Sequence, residues 1–211
     1  MKLSWANRMT ILRILLIVPF VSCTLKINDP DPKLGLAMRY IATAIFLFMA
    51  ITDALDGYLA RTKKQVTKLG AFLDPIADKL LITSACLLLA SERASVRADH
   101  QSFVLPSTVV VLIIGKDLFL LIGFVVVYFV TSQFLIAPNL IGKAATTLQL
   151  SMVAGILVAP EVSGMLPGWI WFLRVLWWSA AGTAILATLI YIRRGSRYIE
   201  QYEQSQANNT H

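Results

Sequence analysis

Six long apolar stretches constrain the fold of this 211-residue chain more than any other feature of its sequence. A membrane core of about 30 Å is crossed by about 20 helical residues, and a helix satisfies its backbone polar groups internally. With 57% hydrophobic residues and a mean hydropathy of +0.68, the chain is more apolar than a soluble domain of its size. The sequence therefore predicts an all-α integral membrane protein with six transmembrane helices, at residues 11–25, 34–60, 69–90, 105–130, 140–159 and 169–192.

The distribution of basic residues predicts how these helices are oriented. Six spans place both termini on one side, where eleven of the 19 lysines and arginines lie, against five on the opposite side. The positive-inside rule therefore predicts cytoplasmic termini. The net charge of +7 is spread over loops that flank the membrane, which favours lipid headgroups as partners and not nucleic acid. Because the chain becomes polar after Arg193, we expect a membrane domain at 1–198 and a disordered tail at 199–211.

Four aspartates interrupt the second and third apolar stretches. Asp53 and Asp56 are three positions apart, and Asp74 and Asp78 are four apart, so each pair shares one face of a helix. A charged side chain inside the bilayer costs on the order of 3 kcal/mol, and neighbouring carboxylates repel one another. At 1.5 Å per residue, Asp53 and Asp78 both lie about 12 Å from the cytoplasmic helix ends. We therefore expect one carboxylate cluster that opens to the cytoplasm and binds Mg²⁺, Mn²⁺ or Ca²⁺.

The aspartates belong to a longer pattern. It reads Asp53-x-x-Asp56-Gly57-x-x-Ala60-Arg61, then eight residues, then Gly70-x-x-x-Asp74-x-x-x-Asp78. This pattern resembles the signature of the CDP-alcohol phosphotransferases, with every position filled. The resemblance implies that family's fold, a homodimer, and two divalent ions, Mg²⁺ or Mn²⁺, held by Asp53, Asp56, Asp74 and Asp78. It implies a CDP-linked lipid, CDP-diacylglycerol, bound at Asp56, Gly57, Ala60, Arg61, Gly70 and Asp74, and Asp78 as the general base.

The same residues also fit two other interpretations, close helix packing and cation transport. Gly57 and Ala60 are also typical of close helix packing in membranes. Intramembrane aspartates also mark the ion pathways of cation transporters, which are the main alternative from outside the enzymes. Ion passage does not require Gly57, Ala60, Arg61 and Gly70 at this spacing, so the enzyme interpretation is preferred.

Further motifs bear on the alcohol acceptor. The segment Asp74-Pro75-x-Ala77-Asp78-Lys79, together with Asn7-x-x-Thr10-x-x-Arg13 and Gly142-Lys143-x-x-x-Thr147-x-Gln149, resembles the branch of phosphatidylglycerophosphate and cardiolipin synthases. Glycerol-phosphate enzymes usually carry Arg-Glu in the fourth span, where this chain has Lys116-Asp117. The candidate acceptor-binding residues are Lys116, Asp117 and Lys143, although Lys116 and Asp117 also fit a purely structural ion pair.

We expect glycerol-3-phosphate as the acceptor, because that reaction is the more general need, with phosphatidylglycerol as the alternative. A bacterial inner membrane is the expected location, ahead of the mitochondrial inner membrane, because no transit peptide is apparent.

Overall fold

The computed structural model describes residues 5–63, 68–98, 101–131 and 140–209, and these residues are almost entirely helical. The helices are α1 (Trp5–Leu25), α2 (Pro32–Lys63), α3 (Lys68–Ala90), α4 (Ser107–Thr131), α5 (Leu140–Leu157), α6 (Ala159–Met165) and α7 (Trp169–Asn209). A short antiparallel pair, β1 (Arg97–Ala98) and β2 (Gln101–Ser102), lies between α3 and α4. The all-α class predicted from the sequence is confirmed.

Several helices are long and apolar enough to cross a membrane. In the described residues, Arg8–Leu25, Pro32–Leu55 and Trp169–Arg197 meet this criterion, and α5 with α6 forms a fourth candidate that is bent by 74°. Large apolar side chains such as Leu15, Val18 and Val111 are exposed on the outside of the bundle, as contact with lipid requires. The protein is therefore an integral membrane protein, and three or four spans are evident in the described residues, so the count of six stays a prediction.

The helices pack as two connected groups. Helix α1 packs against α2 and α3, while α7 packs against α4 and α5, and α3 also contacts α4 and α5. Phe20 of α1 and Phe46 of α2 are fully buried, with ring centroids 5.9 Å apart. In α7 the buried residues Ala180, Ala184 and Ala187 recur at helical spacing. Small side chains on one face allow the neighbouring helices to approach closely, which is the usual packing mode in membranes.

A close turn leads from α1 into α2. Asp31 Oδ1 accepts a hydrogen bond from the Lys33 backbone N–H at 3.0 Å, and Pro32 is the first helical residue, a position that proline favours. Gly35 lies against the end of α1, where an added Cβ would be only 2.6 Å from the Ile27 carbonyl oxygen. The first turn of α2 is therefore held directly against the preceding loop.

An ion pair joins α2 to the bend between α5 and α6. Arg39 Nη1 donates to Glu161 Oε2 at 2.8 Å and to the Leu157 carbonyl at 3.3 Å, while its Nη2 contacts Glu161 Oε1. The Tyr40 hydroxyl also donates to Glu161 Oε1 at 2.9 Å. This cluster fixes the end of α5 against α2.

Helix α7 continues to Asn209, through most of the segment 199–211 that we expected to be a disordered tail. This segment is polar, but it contains two glutamates and three glutamines, which favour helix. Extending an existing helix avoids the cost of nucleating a new one.

Candidate active site

The two halves of the aspartate pattern lie on α2 and α3. Helix α2 is continuous as far as Lys63, and α3 begins at Lys68, so the helical backbone assumed in the spacing argument is present. The side chains of Asp53 and Asp78 are described. The other pattern positions lie outside the residues whose side chains the structure describes, namely Asp56, Gly57, Ala60, Arg61, Gly70 and Asp74.

Asp53 is paired with a buried arginine from another helix. Arg13 of α1 is only 2% exposed, and its Nη1 lies 2.9 Å from Asp53 Oδ1. The contact forms because α1 packs against both α2 and α3, so one face of α1 borders the aspartates. The side chain of Thr10, one turn before Arg13, is also buried. The sequence placed Arg13 in the Asn7-x-x-Thr10-x-x-Arg13 motif, but it did not predict that Arg13 pairs with Asp53.

A chain of alternating charges connects α3 with α4. Lys79 Nζ lies 3.7 Å from Asp78 Oδ2 and 3.0 Å from Asp117 Oδ1, and Lys116 Nζ lies 2.9 Å from the same Asp117 oxygen. Lys116 and Asp117 are both buried, which allows strong interaction between these charges. The structure therefore brings two of the three predicted acceptor-binding residues next to Asp78.

Asp53 also belongs to this group. Asp78 interacts electrostatically with Asp53 as well as with Lys79, Lys116 and Asp117. The described cluster thus draws on α1, α2, α3 and α4, although its residues lie far apart in the sequence. Sequence spacing within single helices could not have revealed these contacts.

Lys143, the third predicted acceptor-binding residue, is placed differently. It is exposed on α5, and it forms no ion pair with the other described side chains. Its backbone carbonyl accepts a hydrogen bond from Thr147 Oγ1 at 3.0 Å, a contact internal to the helix. Lys143 is therefore not joined to Lys116 and Asp117 in the described part of the chain.

Gln149 of α5 is a polar residue that we did not propose as part of the site. Its side chain is fully buried, and neither amide atom has a hydrogen-bond partner among the described residues. Buried amides are normally satisfied, by protein groups or by ordered water. The signal available in the sequence was its position at the end of the Gly142 to Gln149 motif.

The donor chemistry of the site suits hard divalent cations. Carboxylate oxygens are the ligands that Mg²⁺ and Mn²⁺ prefer, and Asp53 and Asp78 supply them from α2 and α3, which both pack against α1. The described side chains do not by themselves include a group of three or more candidate ligands. A complete metal site would need the carboxylates of Asp56 and Asp74 as well, and these are the remaining acidic members of the pattern.

Comparison with known proteins identifies the family. The family model described as CDP-alcohol phosphatidyltransferase matches residues 3–190. A CDP-diacylglycerol–glycerol-3-phosphate 3-phosphatidyltransferase of Haemophilus influenzae is 31% identical, over 74% of this chain and 77% of its own length. The protein of the same name from Bacillus subtilis is 32% identical, over 70% of this chain and 69% of its own length.

A plant protein is similar to a comparable degree. A cardiolipin synthase (CMP-forming) of Oryza sativa subsp. japonica is 31% identical over 72% of this chain and 47% of its own length. No solved structure matches the chain. The family model nevertheless covers most of the sequence, including the whole aspartate pattern on α2 and α3, and the chain belongs to the CDP-alcohol phosphatidyltransferase family.

Proposed function

We propose that this protein transfers the phosphatidyl group of CDP-diacylglycerol to an alcohol and releases CMP, as a step of phospholipid biosynthesis. Membership of the family supports this reaction, and the relatives from Haemophilus influenzae and Bacillus subtilis are named for it. The observation that carries the proposal is the cluster of charges around Asp78, in which Lys79 links this member of the aspartate pattern to the candidate acceptor-binding residue Asp117.

The proposed reaction is a direct displacement at phosphorus. The acceptor oxygen attacks the phosphorus that bears the diacylglycerol, a new P–O bond forms, and the P–O bond to CMP breaks. CMP leaves with the electron pair of that bond, and Asp78 takes the proton of the acceptor hydroxyl. Lys79, 3.7 Å from Asp78 Oδ2, orients this carboxylate and favours its charged form, which a general base requires.

We propose that Asp53, Asp56, Asp74 and Asp78 hold two divalent ions, Mg²⁺ or Mn²⁺. Bound there, the ions would neutralise the diphosphate and the charge that develops on the leaving CMP. Arg13 fixes one oxygen of Asp53 and so limits the rotation of that carboxylate. The CDP portion of the donor is assigned to Asp56, Gly57, Ala60, Arg61, Gly70 and Asp74, with its acyl chains in the bilayer.

Glycerol-3-phosphate is the proposed acceptor, bound near Lys116, Asp117 and Lys143. The names of the two bacterial relatives support this choice. One observation favours phosphatidylglycerol as a second candidate. Asp117 pairs with both Lys79 and Lys116 and so offsets part of their positive charge. The monoanionic phosphodiester of phosphatidylglycerol needs less positive charge than the dianionic phosphate of glycerol-3-phosphate. The name of the rice relative is consistent with this second acceptor.

The same proposal includes a membrane arrangement. We propose that α1, α2, α3, α4, α5 and α7 supply six spans within a domain at 1–198, with both termini and the active site at the cytoplasmic face. The positive-inside distribution of basic residues supports this orientation. The proposed location is a bacterial inner membrane, and the proposed assembly is a homodimer with one site in each protomer.

The acceptor can be identified with purified protein. CDP-diacylglycerol is supplied with labelled glycerol-3-phosphate or labelled phosphatidylglycerol, and the lipids are separated by chromatography while CMP is measured. We expect a labelled lipid and CMP in equal amounts, lost with EDTA and restored by Mg²⁺ or Mn²⁺. A labelled product from neither acceptor would contradict the proposal.

Two matched variants test the assigned base. Asp78→Asn is expected to abolish turnover while CDP-diacylglycerol binding remains measurable. Asp31→Asn alters an exposed aspartate in the loop before α2 and should keep normal turnover, because asparagine can still accept the hydrogen bond from Lys33. Normal turnover in Asp78→Asn would refute the role of this residue.

A further inference from the structure

The second carboxylate oxygen of Asp117 lacks a donor in the described part of the chain. Asp117 is only 8% exposed, and both ammonium groups that contact it lie against Oδ1, at 2.9 Å and 3.0 Å. Its Oδ2 is buried and, like Oδ1, forms no hydrogen bond with any described residue, while the closest ammonium contacts are made to Oδ1. Because a buried charged oxygen without a donor is destabilising, this atom is suited to receive a hydrogen bond from a bound molecule.

The position of Asp117 relative to Asp78 indicates what that molecule is. Lys79 Nζ contacts both carboxylates, at 3.7 Å and 3.0 Å, so the contacting oxygens lie within about 7 Å of each other. A hydroxyl that gives its proton to Asp78 therefore reacts close to Asp117. A second hydroxyl on the neighbouring carbon of the same acceptor can then reach Asp117, while Lys79 and Lys116 prevent the carboxylate from turning away.

We propose that Asp117 is a specificity-determining residue that selects acceptors with a second hydroxyl next to the reacting one. This inference rests on the proposed function, and it names the substrate class as vicinal diols. Glycerol-3-phosphate and the terminal glycerol of phosphatidylglycerol both contain a secondary hydroxyl beside a primary one. A hydrogen bond from that hydroxyl to Asp117 Oδ2 explains how one site recognises either acceptor, because it contacts the diol that both share and not the phosphate in which they differ.

The test compares each acceptor with an analogue that lacks only the secondary hydroxyl. The analogues are 3-hydroxypropyl phosphate for glycerol-3-phosphate and phosphatidyl-1,3-propanediol for phosphatidylglycerol. A binding site with a charged hydrogen-bond acceptor discriminates strongly against a ligand without the matching donor. We expect the wild-type protein to prefer the diol at least about tenfold in kcat/KM, which is typical of one charge-assisted hydrogen bond.

Variants at the pair locate the origin of this preference. In Asp117→Asn the amide oxygen should face the two ammonium groups that now contact Oδ1, which leaves an N–H₂ donor at the position of Oδ2. In this variant, and in the charge-balanced double variant Lys116→Met/Asp117→Leu, the preference should fall below about threefold, mainly because the diol reacts more slowly. The double variant leaves no buried charge of the pair unpaired, so it tests the idea even if the single variant does not fold. Binding of CDP-diacylglycerol reports on folding in both.

The outcomes separate this inference from the proposed function. Equal use of diol and analogue by the wild-type protein would overturn the inference and leave the proposed function standing. Undiminished preference in a folded Asp117 variant would overturn it as well. No CMP release by the wild-type protein with either diol would overturn both.

Discussion

Removing the carboxylate of Glu161 tests how strongly the ion pair with Arg39 stabilises the protein. Arg39 is 8% exposed and gives two of its contacts to Glu161. Glu161→Leu therefore leaves a buried guanidinium whose remaining acceptor among the described residues is the Leu157 carbonyl. Breaking a fully buried pair costs about 3–5 kcal/mol, and an exposed pair contributes about 0–1 kcal/mol. Because Glu161 is 38% exposed, we expect a loss of about 2 kcal/mol, between these limits.

The assay is a double-mutant cycle on the free energy of unfolding, measured by titrating the protein in mixed micelles with a denaturing detergent. The cycle uses Arg39→Met, Glu161→Leu and the double variant, and the coupling energy should be about 2 kcal/mol. Tyr40→Phe is the matched control. It removes one hydrogen bond to Glu161 at an exposed residue and should cost only about 0.5 kcal/mol.

A coupling energy below about 0.5 kcal/mol would show that the pair contributes no more than an exposed salt bridge, and would refute this reasoning. A cost for Tyr40→Phe as large as that for Glu161→Leu would also contradict it, because the stabilisation would then not come from the guanidinium.

Two further predictions concern a close contact and a positioning residue. Gly35→Ala should destabilise the protein by at least about 2 kcal/mol, because the new Cβ would lie 2.6 Å from the Ile27 carbonyl oxygen. Gly115 has open space around it, so Gly115→Ala should be neutral or slightly stabilising in the same unfolding assay. Arg13→Lys keeps the charge but loses the planar guanidinium that contacts Asp53, so turnover should fall about tenfold. Mn²⁺ binding, followed by electron paramagnetic resonance, should require a higher metal concentration. Unchanged Mn²⁺ binding would argue against a positioning role for Arg13.

Much of the fold could be predicted from apolar length alone. Helices α1, α2 and α3 overlap the first three predicted spans because long apolar segments have few alternatives to helix in a membrane. The bend of 74° between α5 and α6 was not predicted. Pro160, in the first turn of α6, cannot continue the backbone hydrogen bonding of α5, and Glu161 beside it contacts Arg39, a residue more than a hundred positions away in the chain.

At the candidate site too, groupings within one helix could be predicted from the sequence, and contacts between helices could not. Helical spacing was sufficient to group Asp53 with Asp56 and Asp74 with Asp78, because that argument uses only positions on one helix. The pairing of Arg13 with Asp53, and the contact of Lys79 with Asp117, depend on how separate helices pack. Sequence spacing contains no information on such packing, so the pairing of Arg13 with Asp53 was not predicted and Lys79 was not assigned to the acceptor pocket.

These distant partners change the charge balance expected for the site. Three cations offset three carboxylates in the described cluster, namely Arg13, Lys79 and Lys116 against Asp53, Asp78 and Asp117. Asp56 and Asp74 bring the formal charge of the whole group to −2, and two divalent ions would change it to +2. The diphosphate of the donor carries two negative charges, which offset the positive charge that two divalent ions would leave on this group. Metal and CDP-diacylglycerol should therefore strengthen each other's binding by the same factor. Mn²⁺ titrations followed by electron paramagnetic resonance, without acceptor, should show tighter binding when the donor is present. Equal Mn²⁺ affinity with and without the donor would contradict this account of the charges.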